Sequence, residues 1–382
     1  MRGLFALTLP LVLIACADDE PNTQTDTDTT SLPDSEVGDD ADATDGSAAD
    51  SAELDASEPE ARSLTVFDRV RISSSGAEGE FFHRAQAPFD FGAGPFASVT
   101  LRVKLETTCY PFEDWTTPPP GHNWPADCDA FDRNFEFTLD EPGEDGGPPA
   151  IELVRAITPF GGPMEFDIDI TDIANFLPGQ HTLDVVIPTY SDGAGIVSGS
   201  NGGWNVTAEV IVQDGPAPRN VLAVTPLFNG NFTFESELTP IDFVVPEGVT
   251  EARIDYRTTG HGGGAGDRSC IGPAEEFCRR SHSIDLDGSP VWFFEPWIDS
   301  CEYMCDLISV GRQQVCEQNP CGSIASVRAP RANWCPGDIT PPELVTDDIL
   351  TEPGEHSFAF FVSNVAEGGS WRTSAVYIAY GD

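Results

Sequence analysis

Residues 98–106 read SVTLRVKLE, and apolar and polar side chains alternate through the whole stretch. One parity is entirely apolar: Val99, Leu101, Val103 and Leu105. Successive side chains of a β-strand point to opposite faces, so this period of two predicts a strand with one buried face and one face in solvent. The same period recurs in four further stretches: NFEFTLD (134–140), EFDIDITD (165–172), HSFAFFVSNV (356–365) and SAVYIAYGD (374–382).

Turn-forming residues separate these stretches. The chain has 32 Pro and 36 Gly, which lie mostly between the alternating runs, as turns require. No long pattern of helical period competes, so we predict an all-β, antiparallel protein. The segment QDGPAPRN, 213–220, separates two strand-rich regions and is the best domain boundary. Two jelly-roll β-sandwiches, over 63–217 and 218–382, fit these lengths.

The first residues predict export. Arg2 gives a positive start, and the apolar run from Leu4 to Ala15 is too short to span a bilayer. Its end, Leu-Ile-Ala-Cys16, resembles a bacterial lipobox, which implies removal of the signal peptide 1–15 and lipidation of Cys16. The alternative is an ordinary signal peptide with a chance cysteine. In the first case the chain is an exported bacterial lipoprotein, anchored in a membrane and facing the periplasm or the cell surface.

Residues 16–62 are expected to form a disordered acidic tether. From Ala17 to Ala61 the sequence has no Lys or Arg and almost no large apolar residue, so it cannot bury enough surface to offset the entropy of ordering. The formal net charge of the chain is -45, which argues against a nucleic-acid partner because nothing would neutralise the phosphates. We expect the folded part to be a monomer.

Nine cysteines remain after Cys16. In an exported protein they are expected to form disulfides. The pairs Cys109–Cys128 and Cys270–Cys278 are plausible from spacing, and each would contribute about 2–3 kcal/mol in the entropy model. Because nine is odd, at least one thiol is free or pairs elsewhere.

An ordered set of motifs resembles the peptide-N-glycosidase F family, bacterial amidases that remove N-glycans from glycoproteins. In the first half the matching stretches are LTVFDRVRI (64–72), CDAFDR (128–133), RAITPF (155–160) and FDIDITD (166–172). In the second half they are TTGHGGG (258–264), AEEFCRRSHSI (274–284), CEQNP (316–320) and RANWCPG (331–337). The likeness runs in the same order from about residue 64 to the end of the chain. The resemblance implies two jelly rolls packed side by side, an active site in the groove between them, and a third disulfide, Cys316–Cys335.

Asp132 is the candidate for the central catalytic role. It stands in CDAFDR where the family places an essential aspartate at the end of a strand. Independently of the family, it lies beside Arg133 and near the expected disulfide at Cys128. We expect the arginine to keep the carboxylate ionised and the disulfide to fix its position. The alternative is an ordinary turn aspartate.

The stretch AEEFC, 274–278, contains two glutamates. The resemblance aligns Glu276 with the family's second essential carboxylate, which would bind the sugar and help to polarise the reacting group. If the segment is a strand, Glu275 points to the opposite face. Arg280 then shares the face of Glu276 and could orient it, and Arg331 could do so from across the site.

Aromatic side chains in or beside the matched motifs are candidate sugar contacts. Flat apolar faces suit sugars, although the core is the commoner place for aromatics in a sandwich. The glycine-rich run GHGGGAGD, 260–267, is expected to be a loop at the groove and adds a histidine. The candidate substrate-binding residues are Phe131, Tyr190, His261, Phe277 and Trp334.

The sequence departs from the family pattern at Pro188. The family carries a third important carboxylate in Thr-Glu-Thr-Trp, and the corresponding stretch here is IPTY, 187–190. Proline has neither charge nor N–H donor, so altered specificity, reduced activity or none would follow. Asp184 or Asp192 could substitute from nearby.

Three functions therefore compete. The first is a tethered amidase that hydrolyses the bond between Asn and N-acetylglucosamine in N-glycosylated peptides or proteins, with no cofactor and no metal. The second is a glycan-binding protein that has lost activity, which Pro188 favours. The third is a copper monooxygenase, which needs clustered histidines. No His-His or His-x-His occurs among His83, His122, His181, His261, His282 and His356. Of these, His282 is interpreted as a hydrogen-bonded structural residue.

Overall fold

The computed structural model describes residues 61–109, 124–141, 147–190, 199–237, 239–263 and 269–382. The expected signal peptide, the lipidation of Cys16 and nearly all of the acidic tether lie outside these residues and stay predictions. No helix in the described ranges is long and apolar enough to cross a bilayer.

Two five-stranded sheets contain the strands of the first half, residues 62–214. One sheet is built from β1 (Arg62–Ser73), β2 (Phe81–Phe82), β4 (Phe96–Thr107), β7 (Met164–Asp169) and β9 (Gly203–Asp214), in the order β2-β1-β9-β4-β7. The other is built from β3 (Arg84–Asp90), β5 (Asn134–Leu139), β6 (Ile151–Ile157), β8 (Gln180–Val186) and β17 (Ile339–Thr340), in the order β17-β6-β5-β8-β3. A short helix, Thr171–Phe176, follows β7.

Two four-stranded sheets form the second half, residues 220–382. One contains β10 (Asn220–Thr233), β12 (Glu251–Gly262), β18 (Glu343–Val345) and β20 (Gly369–Gly381), in the order β10-β20-β12-β18. The other contains β11 (Ile241–Val245), β13 (His282–Leu286), β14 (Ser289–Phe294) and β19 (Gly354–Val362), in the order β11-β19-β13-β14. The remaining elements are a hairpin of β15 (Leu307–Val310) and β16 (Gln313–Cys316), a helix at Ile324–Arg328, and 3₁₀ turns at Glu275–Phe277, Glu302–Met304 and Asp348–Thr351.

The alternating residues of β4 form part of the core, as their period predicts. Val99, Leu101, Val103 and Leu105 are fully buried, whereas Arg102 and Lys104 between them are exposed. Each such side chain contributes roughly 1.5–3 kcal/mol on burial. Neighbouring strands in the four sheets pair antiparallel, apart from the short parallel pair β1–β2. The prediction of an all-β protein made of antiparallel sandwiches is confirmed.

The two halves are joined by main-chain pairing as well as by side chains. Strand β17 comes from the second half but pairs with β6 of the first, with Thr340 opposite Arg155. The apolar core of the first half also takes in Val224, Val376 and Ile378 from the second. The expected boundary at 217/218 lies in the segment between β9 and β10, and the division into two domains stays a prediction.

The disulfides follow the local predictions and overturn the long-range one. Cys109–Cys128 and Cys270–Cys278 are formed as expected. The pair Cys316–Cys335 is wrong, because the structure contains Cys301–Cys335 and Cys305–Cys316 instead.

Local geometry explains this difference. The 3₁₀ turn Glu302–Met304 separates Cys301 from Cys305, and the pairing of Leu307 with Cys316 in the β15–β16 hairpin brings Cys305 beside Cys316. Cys335 therefore forms its disulfide with Cys301. Among the described residues, Cys321 is the free thiol.

Peptide mapping under non-reducing conditions is expected to recover fragments that link Cys301 to Cys335 and Cys305 to Cys316. Cys321 is expected to react slowly with an alkylating reagent in the native chain and rapidly after unfolding. Burial raises the pKa of its thiol, and the thiolate is the reactive form. A fragment linking Cys316 to Cys335 would contradict the assignment.

Candidate active site

A cleft of about 240 Å³ lies where the two halves meet. One wall is formed by the segment after β8, the end of β6, the start of β5 and the residues just before β5. The other is formed by the end of β12, the 3₁₀ turn before β13 and the segment that contains Trp334. Its lining residues are Asp132, Arg133, Asn134, Ile157, Pro188, His261, Gly262, Glu276 and Trp334. Both candidate catalytic carboxylates therefore face one space.

Arg331 lies between these carboxylates and is almost completely buried, with a side-chain exposure of 1%. Its Nη1 donates to Glu276 Oε1 at 3.0 Å, and its Nη2 is 3.9 Å from Asp132 Oδ2. The guanidinium lies over the rings of Phe277 and Trp334, at 4.8 and 4.5 Å from their centroids. This stacking and the two acidic partners fix the orientation of the guanidinium. The expectation that Arg331 reaches across the site agrees with this position.

Asp132 has a different electrostatic setting from the one expected. Arg133 does not pair with it but donates to Asp129, from Nε at 3.0 Å and Nη2 at 3.1 Å. The carboxylate of Asp129 is turned inward and fully buried, and it also accepts from the main-chain N–H of Phe131. Burial raises the pKa of Asp132, against the opposing charges of Arg331 and Arg133. The Asp132 carboxyl therefore holds its proton more strongly than an exposed aspartate.

Glu276 lies in a 3₁₀ turn, Glu275–Phe277, rather than in a strand. Burial raises its pKa to about 7, which Arg331 opposes and the charge of Asp132 supports. Two carboxyl groups that share one arginine in a desolvated cleft cannot both ionise easily. The arrangement can hold one proton near neutral pH and present both a proton acceptor and a proton donor.

Arg280 does not orient Glu276, so that prediction is wrong. It donates to Glu275 instead, from Nε at 2.7 Å and Nη2 at 2.9 Å. Glu275 is fully buried and also accepts from Trp371 Nε1 and from the main-chain N–H of Ala366. In a 3₁₀ turn successive side chains are about 120° apart, so the parity of a strand does not apply.

Two of the five candidate sugar contacts, His261 and Trp334, line the cleft, and a third, Phe277, packs against Arg331 beside it. Trp334 is almost fully buried, its ring is stacked on His261, and its Nε1 donates to Gly260 O at 2.9 Å. Phe277 is half-buried against Arg331. Phe131 and Tyr190 neither line the cleft nor contact Arg331 in the described structure.

The two candidates outside the cleft have different surroundings. Phe131 is half-buried between two small apolar clusters. Tyr190 is about half exposed, at 52%. In the described structure neither Tyr190 nor Phe131 contacts the cleft.

Pro188 lies on the wall of the cleft, where it contributes an uncharged, apolar ring. Asp184 does not replace the missing carboxylate: it is buried away from the cleft and accepts from Arg84 Nε at 2.7 Å. Asp192 lies outside the described residues. Sequence reasoning missed Asn134, which has the parity of Asp132 and borders the same space. Its Oδ1 is buried and has no hydrogen-bond partner in the described structure.

The described histidines are engaged one by one rather than clustered. His181 contacts Asp140, His356 contacts Asp287, and His282 contacts the hydroxyl of Tyr256 at 3.0 Å. Within the described ranges, one group of three potential metal ligands is close together, namely Cys109, Cys128 and Cys321, and two of these form a disulfide. This ligand set does not resemble a copper site of clustered histidines.

Comparison with known proteins agrees with this fold. Residues 229–378 match the family model described as peptide-N-glycosidase F, C terminal. None of the curated proteins compared with the chain matches it significantly.

Solved structures match over most of the chain. A recombinant peptide:N-glycanase F (PNGase F) has 18% sequence identity and a TM-score of 0.61, with 84% of this chain and 96% of that chain covered. PNGase F from Flavobacterium meningosepticum, described as a glycosylasparaginase, gives the same values. PNGF-II has 19% identity and a TM-score of 0.61, with 84% of this chain and 66% of that chain covered. The chain therefore has the two-sandwich fold of the PNGase F structures, and its residues 229–378 match the C-terminal model of that family.

Proposed function

We propose that the chain hydrolyses the amide bond between Asn and N-acetylglucosamine in N-glycosylated peptides or proteins. The glycan would leave as its glycosylamine, and the peptide would keep an Asp. The observation that carries this proposal is the pair Asp132 and Glu276, held by Arg331 in the cleft between the two halves. Both carboxyl groups have raised pKa values, which suits acid–base work near neutral pH.

The geometry supports a division of roles. Asp132, in its ionised form, accepts a proton from a water molecule as the water oxygen bonds to the carbonyl carbon of the Asn side chain. The C–N bond then breaks, and the same proton is available to the departing nitrogen. Glu276, in its protonated form, donates a hydrogen bond to the sugar or to the carbonyl oxygen, which gains negative charge. Arg331 balances the charge of Asp132 throughout.

The pH dependence follows from the proton on Glu276. We expect kcat/KM for glycan release to fall above about pH 7, by about tenfold per pH unit, because the protonated form is lost. Glu276→Gln keeps a neutral donor that does not titrate, so its activity is expected to be lower but flat over the same alkaline range. An alkaline limb that persists unchanged in the variant would assign this titration to another group.

Mass spectrometry tests the activity directly. The full chain is incubated with a denatured N-glycosylated peptide, and the products are examined for Asn converted to Asp together with an intact released glycan. Conversion supports the amidase. The absence of conversion, with the glycopeptide still bound, would favour the glycan-binding alternative.

Pro188 is the specific observation in favour of that alternative, because it leaves an apolar ring in the wall of the cleft. Pro188→Glu is the matched test, since it restores a carboxylate at this position. An inactive chain that gains activity with this change would be a binding protein on the amidase fold.

For the cellular setting, the lipobox-like sequence at Cys16 supports a tethered enzyme that acts on external glycopeptides or glycoproteins.

A further inference from the structure

Within the part of the chain that the structure describes, His261 makes one side-chain hydrogen bond, and its partner lies on the same strand. Its Nε2 lies 2.7 Å from Thr259 Oγ1, two residues earlier on β12. Both side chains have the same parity on the strand, and His261 lies at the cleft while Thr259 is fully buried behind it. The ring of His261 is also stacked on Trp334, at a centroid distance of 5.4 Å. The position of the imidazole is therefore fixed from two sides.

The hydroxyl of Thr259 has a second neighbour from the first half. Arg155 Nη1 donates to Thr259 Oγ1 at 3.4 Å. A guanidinium can only donate, so the hydroxyl accepts this bond and has one hydrogen of its own to give. Among the described residues, His261 Nε2 is the acceptor within reach of that hydrogen. Because a buried hydroxyl rarely leaves its hydrogen unpaired, Thr259 donates and Nε2 accepts.

Arg155 has little freedom to move away from this arrangement. It is fully buried, and it donates to Glu152 from Nε at 2.8 Å and from Nη2 at 2.7 Å. Its Nη1 also donates to the main-chain carbonyl of Arg372, on β20 of the second half. A bidentate pair of this kind fixes the plane of the guanidinium.

The imidazole is neutral in this setting. Burial lowers the pKa of His261 to about 3, and the positive charge of Arg155 acts in the same direction. A neutral imidazole carries its hydrogen on one nitrogen only. Since Nε2 is the acceptor, that hydrogen lies on Nδ1, which has no hydrogen-bond partner among the described residues.

We propose that Arg155 and Thr259 act as positioning residues that hold His261 as its Nδ1–H tautomer, so that the ring offers one N–H donor to a carbonyl oxygen of the substrate. The tautomer follows from the hydrogen bonds alone, whereas the identity of the acceptor rests on the proposed function. In this arrangement Arg155, from the first half, determines which nitrogen of His261, from the second half, carries the hydrogen.

Nitrogen NMR of the full chain with isotope-labelled histidine tests the tautomer. The signals of His261 are assigned by their loss in His261→Gln. We expect the ring to show a protonated Nδ1 and an unprotonated Nε2 in the wild type and in Thr259→Ser, which keeps the hydroxyl. In Thr259→Val the donor is lost, and we expect the protonated nitrogen to change or the two tautomers to mix. A wild-type ring protonated on Nε2, or a Thr259→Val ring with unchanged signals, would overturn the proposal.

Kinetics provides the second measurement. If the amidase activity is present, Thr259→Val is expected to lower kcat/KM about tenfold, the usual effect of losing one hydrogen bond, and Thr259→Ser is expected to restore it. An unchanged kcat/KM in Thr259→Val would overturn the role of His261 as a substrate donor. If the wild type is inactive, the proposed function fails, while the NMR result still decides the tautomer. Melting curves of both variants show whether a loss of activity reflects unfolding.

Discussion

Asp132→Asn is expected to reduce glycan release by roughly 10²- to 10⁴-fold, the range for removal of a general base. The substitution keeps the size of the side chain and its place beside Arg331, so the cleft is expected to stay intact. What disappears is the carboxylate that accepts a proton from water. The measurement is the rate of Asn-to-Asp conversion in a denatured glycopeptide, followed by mass spectrometry.

Asp140→Asn is the matched control for this experiment. Asp140 follows the other end of β5, where its side chain is about half exposed and contacts His181. The same chemical change there is expected to alter the rate less than twofold, since the cleft is not involved. Undiminished activity of Asp132→Asn would remove Asp132 from the central role and leave Glu276 as the other carboxyl group among the described lining residues.

Glu275 and Glu276 are expected to respond to substitution in opposite ways. Glu275→Ala removes the buried carboxylate that accepts from two nitrogens of Arg280, and breaking such a pair from one side costs about 3–5 kcal/mol. Glu276→Ala removes a group at the edge of the cleft whose partner, Arg331, still has Asp132 nearby. Its cost in stability is expected to be smaller, while glycan release falls by roughly 10²-fold or more.

Two measurements on both variants separate these effects. Urea unfolding gives the change in the free energy of unfolding, and the glycopeptide assay gives the change in rate at a temperature where both variants are folded. Each substitution is the control for the other, because the residues are adjacent and chemically identical. The reverse result, a stable Glu275→Ala with low activity, would mean that the wrong glutamate has been placed in the cleft.

The sheets could be predicted from sequence because their signal is local. In β4, apolar residues alternate with polar ones, so the sequence alone shows which side chains lie on the buried face: Val99, Leu101, Val103 and Leu105. The disulfides Cys109–Cys128 and Cys270–Cys278 close short loops, so spacing was enough to suggest them. The pairing of Cys335 with Cys301 could not be predicted from the sequence. It depends on where a 3₁₀ turn and a hairpin place Cys301, Cys305 and Cys316.

The residues of the cleft were partly predictable. The resemblance pointed to Asp132, Glu276 and Arg331, which the structure brings together. The sequence did not predict that Arg133 binds Asp129 or that Arg280 binds Glu275, and the reason is the same for both arginines. Arg133 and Arg280 have two carboxylates within a few residues, and a turn rather than a regular strand decides which one faces them. A parity rule holds only where the backbone keeps a single period.

The pairing of β17 with β6 has a consequence for the order in which the chain becomes functional during its synthesis. A polypeptide emerges from the ribosome N-terminus first, and the edge of β6 stays open until Ile339 and Thr340 have been made. An open edge can pair with other chains, and such late, distant contacts slow folding. The contact between the halves would therefore be completed only after residues 339–340 have been made, and a chain truncated before residue 339 would carry Asp132 and Glu276 without the edge strand that joins the halves.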